Sequence, residues 1–84
     1  MTYNSPVNGN WYMGRGTAYA VVYARPQEAW YIEAAPGGDG FRPVEEFSTK
    51  KKALEKARRK AKDDKPSVLM NYSKDGEELE RTRY

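Results

Sequence analysis

Two stretches of strict alternation constrain this chain most. "TAYAVVYAR" (17–25) and "AWYIEAA" (29–35) change side-chain character at every second residue, and only Pro26, Gln27 and Glu28 separate them. A period of 2 belongs to strands with two distinct faces, and so short a connection makes the pair an antiparallel hairpin. If those three residues form the loop, Arg25 pairs with Ala29. Val22 then lies opposite Ile32, Ala24 opposite Trp30 and Ala20 opposite Ala34, all on one face. Tyr19, Tyr23 and Tyr31 fall on the reverse face with Val21, Glu33 and Ala35, and Tyr23 faces Tyr31 across the strands as an aromatic pair.

The rest of the chain builds on this hairpin. "PGGDG" is a turn, and "FRPVEEF" (41–47) a third strand in which Pro43, having no N–H for a ladder, suggests an edge or a bulge. Ser48 or Thr49 caps a helix that runs to about Asp64, and Pro66 forbids its continuation. The apolar stripe of that helix is Ala53, Leu54, Ala57 and Ala61, so narrow and small that the helix should sit close to a sheet. "SVLMNYS" and "ELERTRY" flank Asp75-Gly76, a hairpin signal. A two-residue turn there pairs Tyr72 with Leu79 and Met70 with Arg81, and the fading apolar side fits an edge strand. The predicted architecture is α+β: a small antiparallel sheet in the order β-β-β-α-β-β, with one helix packed on one face. It forms a single domain over residues 17–84. The opening "MTYNSPVNGNWYMGRG" (1–16) has neither period and reads as a flexible N-terminal arm, with Trp11, Tyr12 and Arg15 available for docking. Nothing in the chain is left to cover the tyrosine face.

Composition narrows function by exclusion. With no cysteine and no histidine, disulfides, thiolate or imidazole metal sites, Ser-His-Asp and Cys-His catalysis are ruled out. The remaining acid pairs, Glu45-Glu46 and Glu77-Glu78-Glu80, lie at a strand end and a hairpin, where neighbours point to opposite faces. No nucleophile, base and oxyanion donor can be assembled, so no enzyme activity, cofactor or metal is expected. Absence of a long apolar run or a signal-peptide layout points to a soluble cytoplasmic protein without a membrane partner. Leu, Ile, Val and Phe number only 11 of 84 residues. That implies a thin core, which a homodimer would supplement.

Parts of this pattern resemble a small prokaryotic and phage family catalogued as domain of unknown function 2188. The residues that carry the resemblance are "AWYIEAA", "EEFSTKKKALEKARRKA" and the "KDGEELERTRY" ending with its closing tyrosine, across roughly residues 18–84. The resemblance implies a compact α+β unit and no established activity. A weaker similarity is to plant AP2-type and phage integrase arm-type DNA-binding domains, in which three antiparallel strands precede a helix and the sheet enters the major groove. Here the second strand offers Glu33 where such a sheet presents arginine, which argues against base-specific reading.

Charge singles out one element. Residues 1–49 carry three bases and five acids, residues 63–84 four and six, and residues 50–62 eight bases and one acid. At 100° per residue, the helix side opposite the alanines collects Lys51, Lys52, Glu55, Lys56, Arg59 and Lys62. Lys52 with Lys56, Lys56 with Lys60 and Arg58 with Lys62 are like-charge i, i+4 pairs; only Glu55 with Arg59 is well oriented and attractive. Lys50, Lys51 and Lys52 occupy the positive end of the helix dipole, which an anion would relieve. Glu45 and Glu46 just upstream offer an alternative neutralisation, in which case the helix simply presents a solvated face.

Two functional readings follow. In the first, the protein is a non-enzymatic module that contacts nucleic-acid phosphates through Lys50, Lys51, Lys52, Lys56, Arg59 and Lys62. In the second, a protein-interaction or inhibitor module dimerises or docks through Tyr19, Tyr23 and Tyr31, flanked by Arg25 and Arg42, and the helix meets solvent or an acidic protein.

Overall fold

In a computed structural model, residues 16–36 and 40–84 are described. Strands β1 (Thr17–Ala24), β2 (Ala29–Pro36) and β3 (Arg42–Phe47) form a meander. Helix α1 (Lys50–Asp63) follows, then β4 (Ser67–Tyr72) and β5 (Glu78–Arg83). The chain folds as α+β: one five-stranded sheet in the order β3-β2-β1-β4-β5, with α1 on one face. The sheet is mixed rather than wholly antiparallel, because α1 carries the chain back over the meander and β4 lies parallel to β1. A helical crossover is the connection that parallel neighbours require. The described domain begins at Gly16 and Thr17, and the expected N-terminal arm lies outside the described residues apart from Gly16.

The β1–β2 register differs by one residue from the sequence reading. Ala24 pairs with Ala29, so four residues, Arg25 to Glu28, form the loop. The Glu28 N–H donates to the Arg25 carbonyl at 3.1 Å, and Glu28 takes a φ of 50°. A left-handed glutamate is not a signal the sequence displays. A one-residue slip exchanges the faces of one strand relative to the other. Tyr19, Val21 and Tyr23 therefore share a face with Trp30, Ile32 and Ala34, and this is the face that α1 covers. Tyr31 lies on the opposite face with Ala18, Ala20, Val22 and Ala35.

Alanine sets the spacing between α1 and the sheet. Ala53, Ala57 and Ala61 recur every four residues and are fully buried against Tyr19, Val21, Ile32 and Leu69, while Leu54 packs half-buried beside them. Thr49 caps the N-terminus, accepting from the Lys52 N–H at 3.3 Å, and Asp64 follows the last turn with its N–H on the Ala61 carbonyl. Two bonds tie the C-terminal end to the sheet. The Ser67 hydroxyl donates to the Ala61 carbonyl at 2.6 Å, and the Tyr19 hydroxyl to Asp64 at 3.0 Å. Burial, the Asp64 hydrogen bond and the Asp64 charge, in that order, push the Tyr19 pKa up to about 12.

The edges behave as edges should. β3 carries Pro43 and a bulge where Ile32 pairs with Glu45 but Glu33 with Pro43. β5 is exposed and charged along most of its length. The β4–β5 connection keeps the expected pairing of Met70 with Arg81. Tyr72 meets Glu78 rather than Leu79, because Gly76 at φ 88° closes a three-residue loop and leaves Leu79 in a bulge. Gly16, at φ 91°, has no room for a side chain: a Cβ there would sit 2.1 Å from the Pro66 carbonyl oxygen.

Candidate nucleic-acid interface

The capped end, the alanine stripe and the sheet beneath fix which side of α1 meets solvent. With Ala53 at 0°, Ala57 and Ala61 fall at 40° and 80°. The cations then sort into two outward rows. Lys52, Lys56 and Arg59 lie on successive turns within about 60° of one another, and Lys51, Arg58 and Lys62 form a second row about 100° away. Lys51, Lys52, Arg58, Arg59 and Lys62 are exposed, and Lys56 is half-buried at its stem. Arg58 is a member of this surface that the sequence reading does not include. The helical angle that pairs it with Lys51 and Lys62 was the available signal.

Lys50 does not belong to this surface. Its angle of 60° places it over the buried stripe, and its ammonium lies 5.2 Å from the centre of the Trp30 ring. Burial lowers its pKa. The N-terminal cluster of three lysines is thus two outward cations and one that lies on the hydrophobic core.

Among the described residues no carboxylate forms an ion pair with either row. Among the described residues the ion pairs are Arg25 with Asp75 and Arg81 with Glu78, each at 2.8 Å. Neither involves α1. The expected Glu55–Arg59 pair is not formed within that range. Glu46 accepts from the Tyr31 hydroxyl at 3.0 Å, on the sheet face away from the helix. Glu45 makes no ion pair with a described lysine. The helix also has no acid in its first turn.

The tyrosine surface does not exist as one patch. Tyr19 is buried beneath α1 and bonded to Asp64. Tyr23 is half-buried on the same side, its ring centre 5.1 Å from that of Trp30 and 4.8 Å from the Lys74 ammonium. Tyr31 is on the reverse. Arg25 reaches from the β1–β2 loop to Asp75 and the Lys74 carbonyl, joining two loops. Arg42 lies at the β3 edge, lining a small surface pocket with Ala34, Pro36, Gly40 and Val44. These five residues therefore occupy four separate places. Among the described residues no group of three or more acids is placed to hold a metal ion, and no helix is long and apolar enough to cross a membrane.

Residues 19–84 match the family described as "Uncharacterized protein conserved in bacteria (DUF2188)". The chain belongs to this family. The match spans the five strands and the helix from the third residue of β1 onward, so the cation rows and the mixed sheet lie inside the DUF2188 domain. No curated protein and no solved structure matches the chain. The similarity to AP2-type and integrase arm-type domains finds no support in these comparisons.

Proposed function

We propose that this DUF2188 protein is a non-enzymatic, cytoplasmic module that binds nucleic acid through the outer face of α1. The observation that carries the reading is the six-cation surface, Lys51, Lys52, Lys56, Arg58, Arg59 and Lys62, on which no described carboxylate forms an ion pair. Like-charge neighbours at i, i+4 cost a helix stability, and among the described residues no ion pair on α1 offsets that cost. A polyanion offsets it: its phosphates pair with the helix cations, which release the counterions condensed on the nucleic acid. Contacts of this kind are to phosphates, so binding is salt-sensitive and weakly selective for sequence.

Titration of labelled single- and double-stranded DNA and RNA at two salt concentrations tests the proposal. Binding should be tighter than millimolar at low salt and should weaken when Lys52→Glu, Lys56→Glu and Arg59→Glu are combined. Affinity that is unchanged in this variant, or absent for every nucleic acid, sinks it.

A further inference from the structure

Charge on α1 is arranged as well as abundant. The row of Lys52, Lys56 and Arg59 and the row of Lys51, Arg58 and Lys62 lie on either side of the line that points directly away from the buried alanines. Between them, at about 200° from Ala53, stands Glu55. It is exposed, and among the described residues it forms no ion pair. The other acid of the helix, Asp63, is its last residue and lies beyond the cations of both rows. The outermost line of α1 is therefore acidic in its middle and basic along both flanks.

Building on the nucleic-acid reading above, we infer that α1 lies in the major groove of B-form duplex DNA, with one cation row on each phosphate backbone and Glu55 toward the base edges. A single strand laid along a helix meets its outermost line, where a carboxylate repels phosphate. A groove reverses that relation, since its two walls are anionic while its floor presents amino donors. Dimensions agree. A helix with its side chains is about 10–12 Å across, which sets rows about 100° apart roughly 8–10 Å from each other. The major groove is about 12 Å wide and about 8.5 Å deep, so each row faces one wall while the alanine side of α1 stays on the sheet. The minor groove, about 6 Å wide, does not admit a helix, and the major groove of A-form RNA is too narrow. Single strands are held by stacking on aromatic rings, and α1, KKKALEKARRKAKD, contains none. On the groove floor a glutamate accepts from the cytosine N4 amino group. Glu55 thus sets a preference for cytosine at one position, and the phosphate contacts around it stay indifferent to sequence.

Fluorescence anisotropy at one low salt concentration tests this with a labelled DNA duplex, the RNA duplex of the same sequence and each DNA strand alone. The RNA duplex and the single strands engage one row at a time, so the DNA duplex should bind about tenfold or more tighter than any of them. A G·C-rich DNA duplex should be preferred about fivefold or more over an A·T-rich one, and Glu55→Gln should abolish or reverse that preference, because glutamine pairs with adenine. RNA duplex or single strands bound as tightly as the DNA duplex, and still weakened by the combined Lys52→Glu, Lys56→Glu and Arg59→Glu changes, overturn groove insertion and leave the nucleic-acid reading standing. The same base preference in the native and Glu55→Gln chains, or none in either, overturns the placement of Glu55 at the base edges. Absence of binding to every probe overturns both readings.

Discussion

Neutralising one row of α1 gives the sharpest test of the charge argument, because its effect on salt dependence can be counted. Lys52, Lys56 and Arg59 span eight residues, about 10 Å of helix axis, and face one direction. A polyanion laid along that row meets three cations. Each phosphate neutralised contributes about 0.9 to the slope of log K against log salt for duplex DNA, so the row is worth a slope of about 2.7. Between 50 and 200 mM salt that amounts to roughly 40-fold in affinity. The triple variant Lys52→Gln, Lys56→Gln, Arg59→Gln should lose that portion of the slope, read by fluorescence anisotropy of a labelled duplex at several salt concentrations. Its fold should be intact. Two repulsive i, i+4 pairs, Lys52–Lys56 and Lys56–Lys60, disappear with two attractive ones, Glu55–Arg59 and Arg59–Asp63, so stability should change by no more than about 0.5 kcal/mol. The companion variant in Lys51, Arg58 and Lys62 reports on the second row. A slope that neither variant alters would refute the reasoning, since the contacts would then lie off the helix.

Three further predictions concern the scaffold that presents these rows. The Tyr19 pKa is raised in the folded state from 10.0 to about 12, so its contribution is fully present below pH 10 and is lost as pH rises through 12. Denaturation should show roughly 2–3 kcal/mol of stability disappearing over that window, and Tyr19→Phe should flatten that loss; an unchanged pH profile would count against the buried Tyr19–Asp64 bond. Gly16→Ala forces a left-handed alanine whose Cβ meets the Pro66 carbonyl. It should cost at least about 2 kcal/mol, lowering Tm by roughly 10 °C in calorimetry. Ala57→Leu overfills the contact between helix and sheet and should cost about 1–3 kcal/mol in urea titration, whereas a neutral result would mean that α1 does not lie close on the sheet.

What the sequence disclosed depended on whether the signal was local. The strands, the helix with its Thr49 cap and Pro66 limit, and the Ala53, Ala57, Ala61 stripe are set by period and by punctuation within a few residues, and they were legible. The β1–β2 register was not, because it turns on a four-residue loop with Glu28 in a conformation that glutamate rarely takes. That single residue redistributed the tyrosines: Tyr19 and Tyr23 went beneath the helix and Tyr31 to the far side. A docking surface inferred from three same-face tyrosines dissolved with it. The parallel pairing of β4 with β1 was equally hidden, since strand order is a tertiary property that no local pattern encodes. The cation rows needed only helical angle, and angle correctly applied would have added Arg58 and removed Lys50.

The placement of Lys50 also clarifies why the remaining cations are a surface rather than a by-product of a lysine-rich helix. A lysine near the alanine stripe is consumed by structure: Lys50 covers Trp30, just as Lys74 covers Tyr23 at the same end of the sheet. Burial of Lys50 lowers its pKa, a cost that packing offsets. The six outward cations cover no described aromatic ring and form no described ion pair, while like-charge neighbours burden the helix. Helix formation explains a lysine at any of these positions, but glutamate or glutamine would form the helix as well. The alanines account for how α1 is held on the sheet, and the anionic partner we propose would account for the six charges that the fold does not use.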